Sequence, residues 1–446
     1  MRRGALVRSF LFIIAALAAA PAQAKMFDAE TFTLENGLEV VVLPNHRAAI
    51  ATQMIWYKAG AADEPRGKTG IAHFLEHLMF RGTKETPPGA FSRIVAENGG
   101  RDNAFTTHDY TAFFQNVASD RLELVMKLES ERMTGLVLSD AVVLPERDVI
   151  IEERHSRIDN TPSALLNEQL DAALYMNSRY HDPVIGWESE MRGLGPDDAR
   201  AFYSTWYAPN NAVLVIAGDV TVERVRELAE RYYGPIPRRP VPPRIELAEP
   251  PKVAATRLVM KSSRVAETSW SRSYLAPSYQ SGKPGAAYAL QVLAEVLGGG
   301  ATSRLYQGLV VDQGIALSAG AFYDPSARGP TTFGFYASPK KTMALPDFEA
   351  ALEKIVKSVL TDGLTADEVA RAKKRMQTSA VFAQDGLGGP ARIVGAALVS
   401  GRALDDVQAW PERIGAVTLD EVNEAARLVI HEEAGVTGIL LPQPTS

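Results

Sequence analysis

A proline-dense stretch near the middle of the chain constrains its fold more than any other feature. The segment "YGPIPRRPVPPRIELAEPPK" runs from Tyr233 to Lys252 and has little hydrophobic periodicity. Because proline removes backbone donors and favours extended conformations, this stretch is typical of a linker. At 446 residues, the chain is also too long for one ordinary hydrophobic core. We therefore predict an N-terminal domain over residues 25–234, a linker over 235–252 and a C-terminal domain over 253–446.

Both halves mix strand-like and helix-like patterns, which predicts the α+β class. In the first half, two short strands flank the turn Asn36-Gly37, and "DNAFTTHDYTAFFQNV" is rich in residues that favour strands. A strand over Ala212–Ala217 is followed by an amphipathic helix. The second half ends with a helix pattern and then a strand, in "LDEVNEAARLVIHEEAGVTGILLP". This order suggests that the two halves are duplicates of one α+β unit.

The first residues have the composition of a secretory signal peptide. Three arginines precede an apolar run from Phe10 to Ala20, and Ala22-Gln23-Ala24 offers small residues for cleavage. We predict a signal peptide over residues 1–24, with an uncleaved anchor as the alternative. Export of this kind predicts a periplasmic location in a Gram-negative cell. No later stretch is long and apolar enough to cross a bilayer.

Charge and cysteine content exclude several functional classes. The net charge is -6, so the chain lacks the basic surface that nucleic acids require. It contains no cysteine, which excludes disulfides and a lipid anchor on cysteine. Any zinc in this protein must therefore be held by histidine and carboxylate.

The stretch "GIAHFLEHLMFRGT" indicates such a zinc site. On a helix, His73 and His77 are four residues apart and lie on one face, and Glu76 falls within the same arc. Two imidazoles beside a carboxylate fit a catalytic zinc site in which Glu76 is the base and not a ligand. The alternative is a pair of core histidines bonded to the backbone.

A second predicted helix, rich in acidic residues, offers a third ligand. The stretch "LPERDVIIEERHSR" predicts a helix with Pro145 in its first turn. Glu146 and Glu153 are seven residues apart and share a face, whereas only one of Glu152 and Glu153 can face inward. Since surface helices commonly carry acids, this pattern alone leaves the identity of the third ligand open.

Four motifs together resemble the M16 metallopeptidases, the family of pitrilysin, insulysin and the mitochondrial processing peptidase. They are "AHFLEHLMFRGT", "NAFTTHDYT", "ERDVIIEE" and "YAPNNAVLVIAGDV", and their order and spacing cover almost all of the predicted mature chain. The resemblance implies two homologous domains of the M16 type, each a mainly antiparallel sheet with helices packed on it. It also implies one Zn²⁺ per chain and hydrolysis of peptides or unfolded polypeptide segments.

The resemblance also implies roles for individual residues. It makes Glu153 the third zinc ligand and gives Glu146 the task of orienting a ligand histidine. Asn103, Ala104 and Phe105 match the edge strand to which substrate backbone adds. A plain core strand is the alternative for Phe105. His108 and His155 are left outside the ligand set, because neither position has to face the metal.

One part of the family pattern is missing. Self-sufficient members carry an Arg and a Tyr, seven residues apart, that help to bind substrate and stabilise the oxyanion. Laid on that pattern, this chain has Val310 and Leu317. The nearby Arg304 and Tyr306 are only two residues apart, and we interpret them as structural.

We therefore predict the zinc subunit of a heterodimer whose sister chain supplies the Arg and the Tyr. The alternatives are a non-catalytic structural or peptide-binding subunit of the M16 type, and a self-sufficient homodimeric peptidase.

Overall fold

The computed structural model describes residues 26–245, 248–383, 386 and 388–443. The predicted signal peptide lies outside these residues. Within the part of the chain that the structure describes, no helix has both the length and the apolar character needed to span a bilayer.

The first half forms a six-stranded sheet with helices packed on it. Its strands are β1 (Glu30–Thr33), β2 (Glu39–Pro44), β3 (Ile50–Tyr57), β4 (Arg101–Thr106), β5 (Thr111–Ala118) and β6 (Ala212–Gly218). Its helices are α1 (Ile71–Leu78), α2 (Ala90–Glu97), α3 (Leu122–Gly135), α4 (Asp140–Arg154), α5 (Pro162–Leu174), α6 (Glu188–Met191), α7 (Pro196–Trp206) and α8 (Val222–Tyr232). A π-helical turn, His155–Asp159, follows α4 directly.

The second half forms a five-stranded sheet with its own helices. Its strands are β7 (Thr256–Ser262), β8 (Ser269–Ala276), β9 (Ala316–Tyr323), β10 (Thr331–Pro339) and β11 (Val436–Pro442). Its helices are α9 (Ala286–Gly298), α10 (Leu345–Thr361), α11 (Ala366–Ala383), α12 (Gly389–Val399), α13 (Leu404–Gln408), α14 (Trp410–Ala416) and α15 (Leu419–Val429). A second π-helical turn spans Tyr306–Asp312.

The two sheets share one topology. Their strand orders are β1-β2-β6-β3-β5-β4 and β7-β11-β8-β10-β9, so the second order matches the first once β1 is set aside. In each sheet the strand that comes last in the sequence pairs in parallel with the first strand of this shared order, β2 with β6 and β7 with β11. The other neighbouring strands pair antiparallel. This common order confirms the predicted α+β class with two homologous, mainly antiparallel domains.

Side chains that alternate along the strands of the first sheet face two apolar layers, one on each side of the sheet. In β2, the side chains of Val40 and Val42 face the core formed with the helices of the first half, and Val41 faces the opposite layer. The central strand β6 is buried along its whole length, as expected for a strand covered on both faces. The first sheet therefore needs an apolar cover on each side.

Each half covers the outer sheet face of the other. Helix α12 lies on the first sheet, where Val394 and Leu398 join the layer that contains Val41 and Trp56. Gly395 permits this approach, because a Cβ atom there would come within 2.2 Å of the Trp56 indole. Helix α5 lies on the second sheet. A stripe of leucines at every fourth position of α5 packs there against two residues of β11, and the residues are Leu166, Leu170, Leu174, Val436 and Leu440.

Several local predictions from the sequence are confirmed and one is wrong. The strands around Asn36-Gly37 are β1 and β2, and the predicted strand over Ala212–Ala217 is β6. The acidic helix, however, begins at Asp140 and not at Pro145, which lies inside α4. Ser139 at the N-cap and Asp140 in the first turn provide an earlier helix start.

Candidate metal centre

Helix α1 carries the histidines and begins at a strained backbone position. Gly70, its N-cap, has φ 88°, in the region that favours glycine. The buried carboxylate of Glu64 accepts hydrogen bonds from the Gly70 N–H and the Ala72 N–H, each at 2.9 Å. Both oxygens of Glu64 thus satisfy N–H groups that the first turn of a helix cannot bond internally. The start of the helix, at Ile71, is thereby held two residues before His73.

Helix α4 brings a carboxylate to the two histidines. Glu153 Oε2 lies 3.7 Å from His73 Nε2 and 3.1 Å from His77 Nε2. The three donor atoms lie within 4.8 Å of one another. Donors around a tetrahedral zinc ion are separated by about 3.4 Å, as follows from ligand distances of about 2.1 Å.

The chemistry of this donor set fits a zinc ion. Glu153 Oε2 is buried and has no hydrogen-bond partner in the described structure, although it faces two imidazole nitrogens. This oxygen lies within ion-pair distance of His77 Nε2, and a cation held between it and the two Nε2 atoms would take the place of that pairing. Two imidazoles and one carboxylate also leave a fourth position for water or substrate, as in catalytic zinc sites.

Outer contacts orient the ligands. Glu146 Oε1 lies 2.9 Å from His77 Nδ1, and the other oxygen of Glu146 pairs with Arg81. The other oxygen of the third ligand, Glu153 Oε1, pairs with Arg157 at 2.8 Å. The contact between Glu146 and His77 is the carboxylate–histidine arrangement that presents Nε2 to a metal.

Burial and neighbouring charges give the two histidine ligands different pKa values. Burial, reinforced by the neighbouring His77, lowers the pKa of His73 to about 4, so its imidazole is neutral. Burial also acts to lower the pKa of His77, but the carboxylates of Glu146 and Glu153 outweigh it and raise that pKa to about 9. The proximity of His77 holds the pKa of Glu153 below its usual range. A metal ion therefore has to displace a proton from His77.

Glu76 lies beside this donor set in a buried, hydrogen-bonded position. Burial raises the pKa of Glu76, and a hydrogen bond from the Thr106 hydroxyl partly offsets this effect. That hydroxyl donates to Glu76 Oε2 at 2.5 Å. Thr106 is the last residue of β4, so this hydrogen bond links the edge strand to Glu76. A carboxylate with a raised pKa is suited to accept a proton near neutral pH.

The three residues matched to substrate binding lie on β4. This strand pairs with β5 alone and forms the edge of the first sheet. Asn103 is exposed, and its side chain accepts a hydrogen bond from the Ala104 N–H. Ala104 packs against the core of the first half, whereas Phe105 contacts the Trp56 ring edge and lies under the Arg392 guanidinium. The Phe105 side chain therefore has a packing role on the outer layer.

The two histidines left outside the ligand set are held elsewhere. His108 Nε2 bonds to the backbone oxygen of Asp182 at 2.9 Å. His155 lies beside Glu152, Asp159 and Glu188.

In the second half, the residues at the expected Arg and Tyr positions are apolar. Val310 packs against the second core, and Leu317 is half exposed on the edge strand β9. Arg304 forms two contacts with the Glu368 carboxylate, at 2.5 and 2.8 Å, which agrees with a structural role.

Sequence reasoning missed four residues that support the site: Glu64, Arg81, Thr106 and Arg157. Arg157 lies four residues after Glu153, a spacing that predicts contact on a helix. The other three meet their partners through tertiary packing or lie beyond the histidine motif, so no local pattern marks them.

The fold and site define a two-domain α+β protein with a candidate histidine–carboxylate metal centre, and comparisons identify its family. Residues 39–187 match the family described as insulinase (peptidase family M16), and residues 193–376 match the peptidase M16 inactive domain. The chain belongs to the M16 peptidase family.

Related proteins agree with this assignment. The zinc protease PqqE of Helicobacter pylori is 32% identical over 74% of this chain and 76% of its own length. An uncharacterized zinc protease of Streptomyces coelicolor is 30% identical over 89% of this chain and 86% of its own length.

Solved structures have the same fold. A protease from Helicobacter pylori superposes with a TM-score of 0.87 at 26% identity, covering 93% of this chain and all of the other. The periplasmic protease PqqL from Escherichia coli gives a TM-score of 0.81 at 19% identity, and the match covers 93% of this chain but 47% of PqqL.

Proposed function

We propose that this protein is a zinc metalloendopeptidase that hydrolyses peptides or unfolded polypeptide segments. The observation that carries the proposal is the convergence of His73, His77 and the buried oxygen of Glu153, with the buried Glu76 beside them. The naming of its relatives as zinc proteases supports the same chemistry. When bound, zinc would polarise the scissile carbonyl and acidify a water molecule.

The residues of the chain divide the remaining work. Glu76 takes the proton from the attacking water and returns it to the leaving amine. Thr106 holds one oxygen of Glu76, which fixes the direction of the carboxylate. The free edge of β4 allows substrate backbone to add as an extra strand, so Asn103 and Ala104 are proposed to position the peptide.

At the two positions matched to the Arg and the Tyr, the second half carries no side-chain donor for the oxyanion, and we propose that a sister M16 chain supplies it. Neither Val310 nor Leu317 can donate a side-chain hydrogen bond. Loss of an oxyanion donor costs about 3–4 kcal/mol in the barrier, so the chain alone is expected to be much slower than the pair. The alternatives are a homodimer that uses other donors and a non-catalytic subunit; the retained Glu76 argues against the latter, because a scaffold has no use for a general base.

The cellular location is part of the proposal. The residues predicted to form a signal peptide and the description of the structural neighbour PqqL as periplasmic both favour the periplasm.

The testing experiment is cleavage of an unstructured peptide mixture by the zinc-loaded mature chain, with and without a candidate sister chain. We expect chelator-sensitive cleavage by the pair. Glu76→Gln should keep its zinc and lose activity by about 10²–10⁴-fold, the usual contribution of a general base. Full activity in Glu76→Gln would refute the assigned base. Rapid cleavage by the chain alone, eluting as a monomer or homodimer, would remove the need for a sister chain.

A further inference from the structure

A second group of metal-ligating side chains lies just beyond the third ligand of the candidate zinc centre. It consists of His155 and Asp159, at the two ends of the π-helical turn, and Glu188, the first residue of α6. All three side chains are about two-thirds buried, and their donor atoms lie within 4.8 Å of one another. π-helical turns within or beside α-helices occur frequently at functional sites.

The donor atoms converge on one point. His155 Nε2 lies 3.6 Å from Glu188 Oε2 and 3.8 Å from Asp159 Oδ2. These separations are close to the 3.1 and 3.7 Å that Glu153 makes with the two histidines of the first centre. They are longer than hydrogen bonds and of the size that donors around a common cation require.

A charged group lies behind each of the three side chains. His155 Nδ1 faces Glu152 Oε1 at 3.4 Å, a longer and more exposed contact than the 2.9 Å hydrogen bond between Glu146 and His77. The oxygen of Glu188 that does not face His155 accepts from Arg192 Nε at 2.9 Å. The corresponding oxygen of Asp159 lies 3.6 Å from Arg154. The oxygens turned toward His155 are thus the ones without an arginine.

The charges around this group do not cancel. Arg154 is already bound by both oxygens of Glu168, at 2.7 and 2.9 Å. Arg264 also lies here, since its guanidinium donates to the backbone oxygen of Asp159 at 3.3 Å. Counting the carboxylates of Glu152, Asp159, Glu168 and Glu188 against the guanidinium groups of Arg154, Arg192 and Arg264 leaves one negative charge. The remaining arginine of the turn, Arg157, is paired with Glu153. A cation bound among these carboxylates would offset this excess.

We propose that His155, Asp159 and Glu188 form a second site for a divalent transition-metal cation, with zinc as the best-suited ion. An imidazole with two carboxylates favours zinc or manganese over calcium and magnesium, which prefer oxygen ligands throughout. The bound ion ties the turn that follows Glu153 to α6. The chain then binds two metal ions, in contrast to the one per chain implied by the family resemblance. This inference does not depend on catalysis.

The test is a count of bound zinc. The mature full-length chain, free of any histidine tag, is stripped with a chelator and dialysed against a zinc series, and its metal content is determined by elemental analysis. We expect two equivalents for the wild type, one for His155→Ala and one for His73→Ala, and none for the double variant. In His73→Ala, zinc should still raise the Tm, whereas in the double variant it should not.

Matched controls separate the possible results. His46 pairs with Asp219 at 2.7 Å but has no third donor in the described structure, so His46→Ala should still bind two equivalents. Glu188→Gln provides a milder variant if His155→Ala fails to fold, and its second equivalent should bind at least about tenfold more weakly. Saturation of the wild type at one equivalent that is lost in His73→Ala would overturn the second site and leave the proposed catalytic centre standing. If the wild type binds one equivalent and only His155→Ala loses it, the second site would stand and the proposed catalytic centre would be overturned.

Discussion

At the scale of single residues, Glu76 is distinguished by having one of its oxygens already engaged. The Thr106 hydroxyl donates to Oε2 and lowers the pKa of a carboxyl that burial raises. Because a base acts in its ionised form, activity should increase as the pH rises through the pKa of Glu76. Thr106 thereby extends the active range toward acid.

Thr106→Val should move the acid limb of the kcat/KM profile to higher pH. The variant loses the hydrogen bond that favours the ionised carboxylate, so the pKa of Glu76 rises further, and activity on the acid limb should fall severalfold. Thr106→Ser keeps the hydroxyl and serves as the control. An unchanged acid limb in Thr106→Val would show that this contact does not tune the base.

The histidines give a second prediction at this scale. Below pH 9, His77 carries a proton that zinc must displace, while the pKa of about 4 leaves His73 already neutral. The first equivalent of zinc should therefore release about one proton at pH 7.5. Calorimetry in buffers of different ionisation enthalpy measures this number.

Glu146→Gln should reduce both the proton release and the affinity for zinc. Removing the carboxylate lowers the pKa of His77 and frees its ring, and loss of such a partner typically weakens metal binding about 10–100-fold. Asp148→Asn, on the exposed face of the same helix, is the matched control and should change neither quantity. Equal affinities in Glu146→Gln and wild type would contradict the orienting role.

At the scale of elements, the helix that presents the histidines is capped by a side chain from the loop before it. Glu64 reaches the first turn of α1 from the preceding loop. Glu64→Ala leaves two buried N–H groups unpaired and should lower the free energy of unfolding by about 2 kcal/mol or more. Glu64→Gln keeps one acceptor oxygen and should fall between wild type and alanine in urea denaturation. Equal stability of all three proteins would show that the cap is dispensable.

Prediction from the sequence succeeded where short-range patterns decide the structure. The spacing of His73, Glu76 and His77 placed three groups on one helix face, and the seven-residue interval between Glu146 and Glu153 placed two on another. The start of α4 was misplaced because a proline suited to a first turn competed with an earlier cap. Thr106 escaped notice because the tertiary fold brings it to Glu76, 30 residues away, and Glu64 because it caps α1 from a loop that has no hydrophobic periodicity.

At the scale of the whole molecule, two exchanged helices join the halves: α5 of the first half packs on the second sheet, and α12 of the second half packs on the first sheet. The exchange could not be predicted from the sequence, because the apolar stripe of α5 fits either sheet equally well by pattern alone. Leu170→Ala empties part of this contact and should cost about 2–5 kcal/mol, the usual range for a buried leucine. Leu428→Ala, at a half-exposed site, is the control and should cost far less.

Urea denaturation of the wild type tests whether the halves unfold together. Since each outer face is covered by the other half, wild type should give one urea transition that is the same when followed by fluorescence and by circular dichroism. Two separated transitions in the wild type would contradict the idea that the exchanged helices couple the domains.

The exchanged helices also make covalent continuity between the halves unnecessary. A nick within the proline-rich stretch would leave α12 on the first sheet and α5 on the second, so both fragments would stay in one particle. Two polypeptides produced separately, one ending and the other beginning in that stretch, should then reassemble by complementation. In this fold the peptide linkage ensures that the two halves are produced in equal amounts. The packing of α5 and α12 on the sheet of the opposite half holds them together.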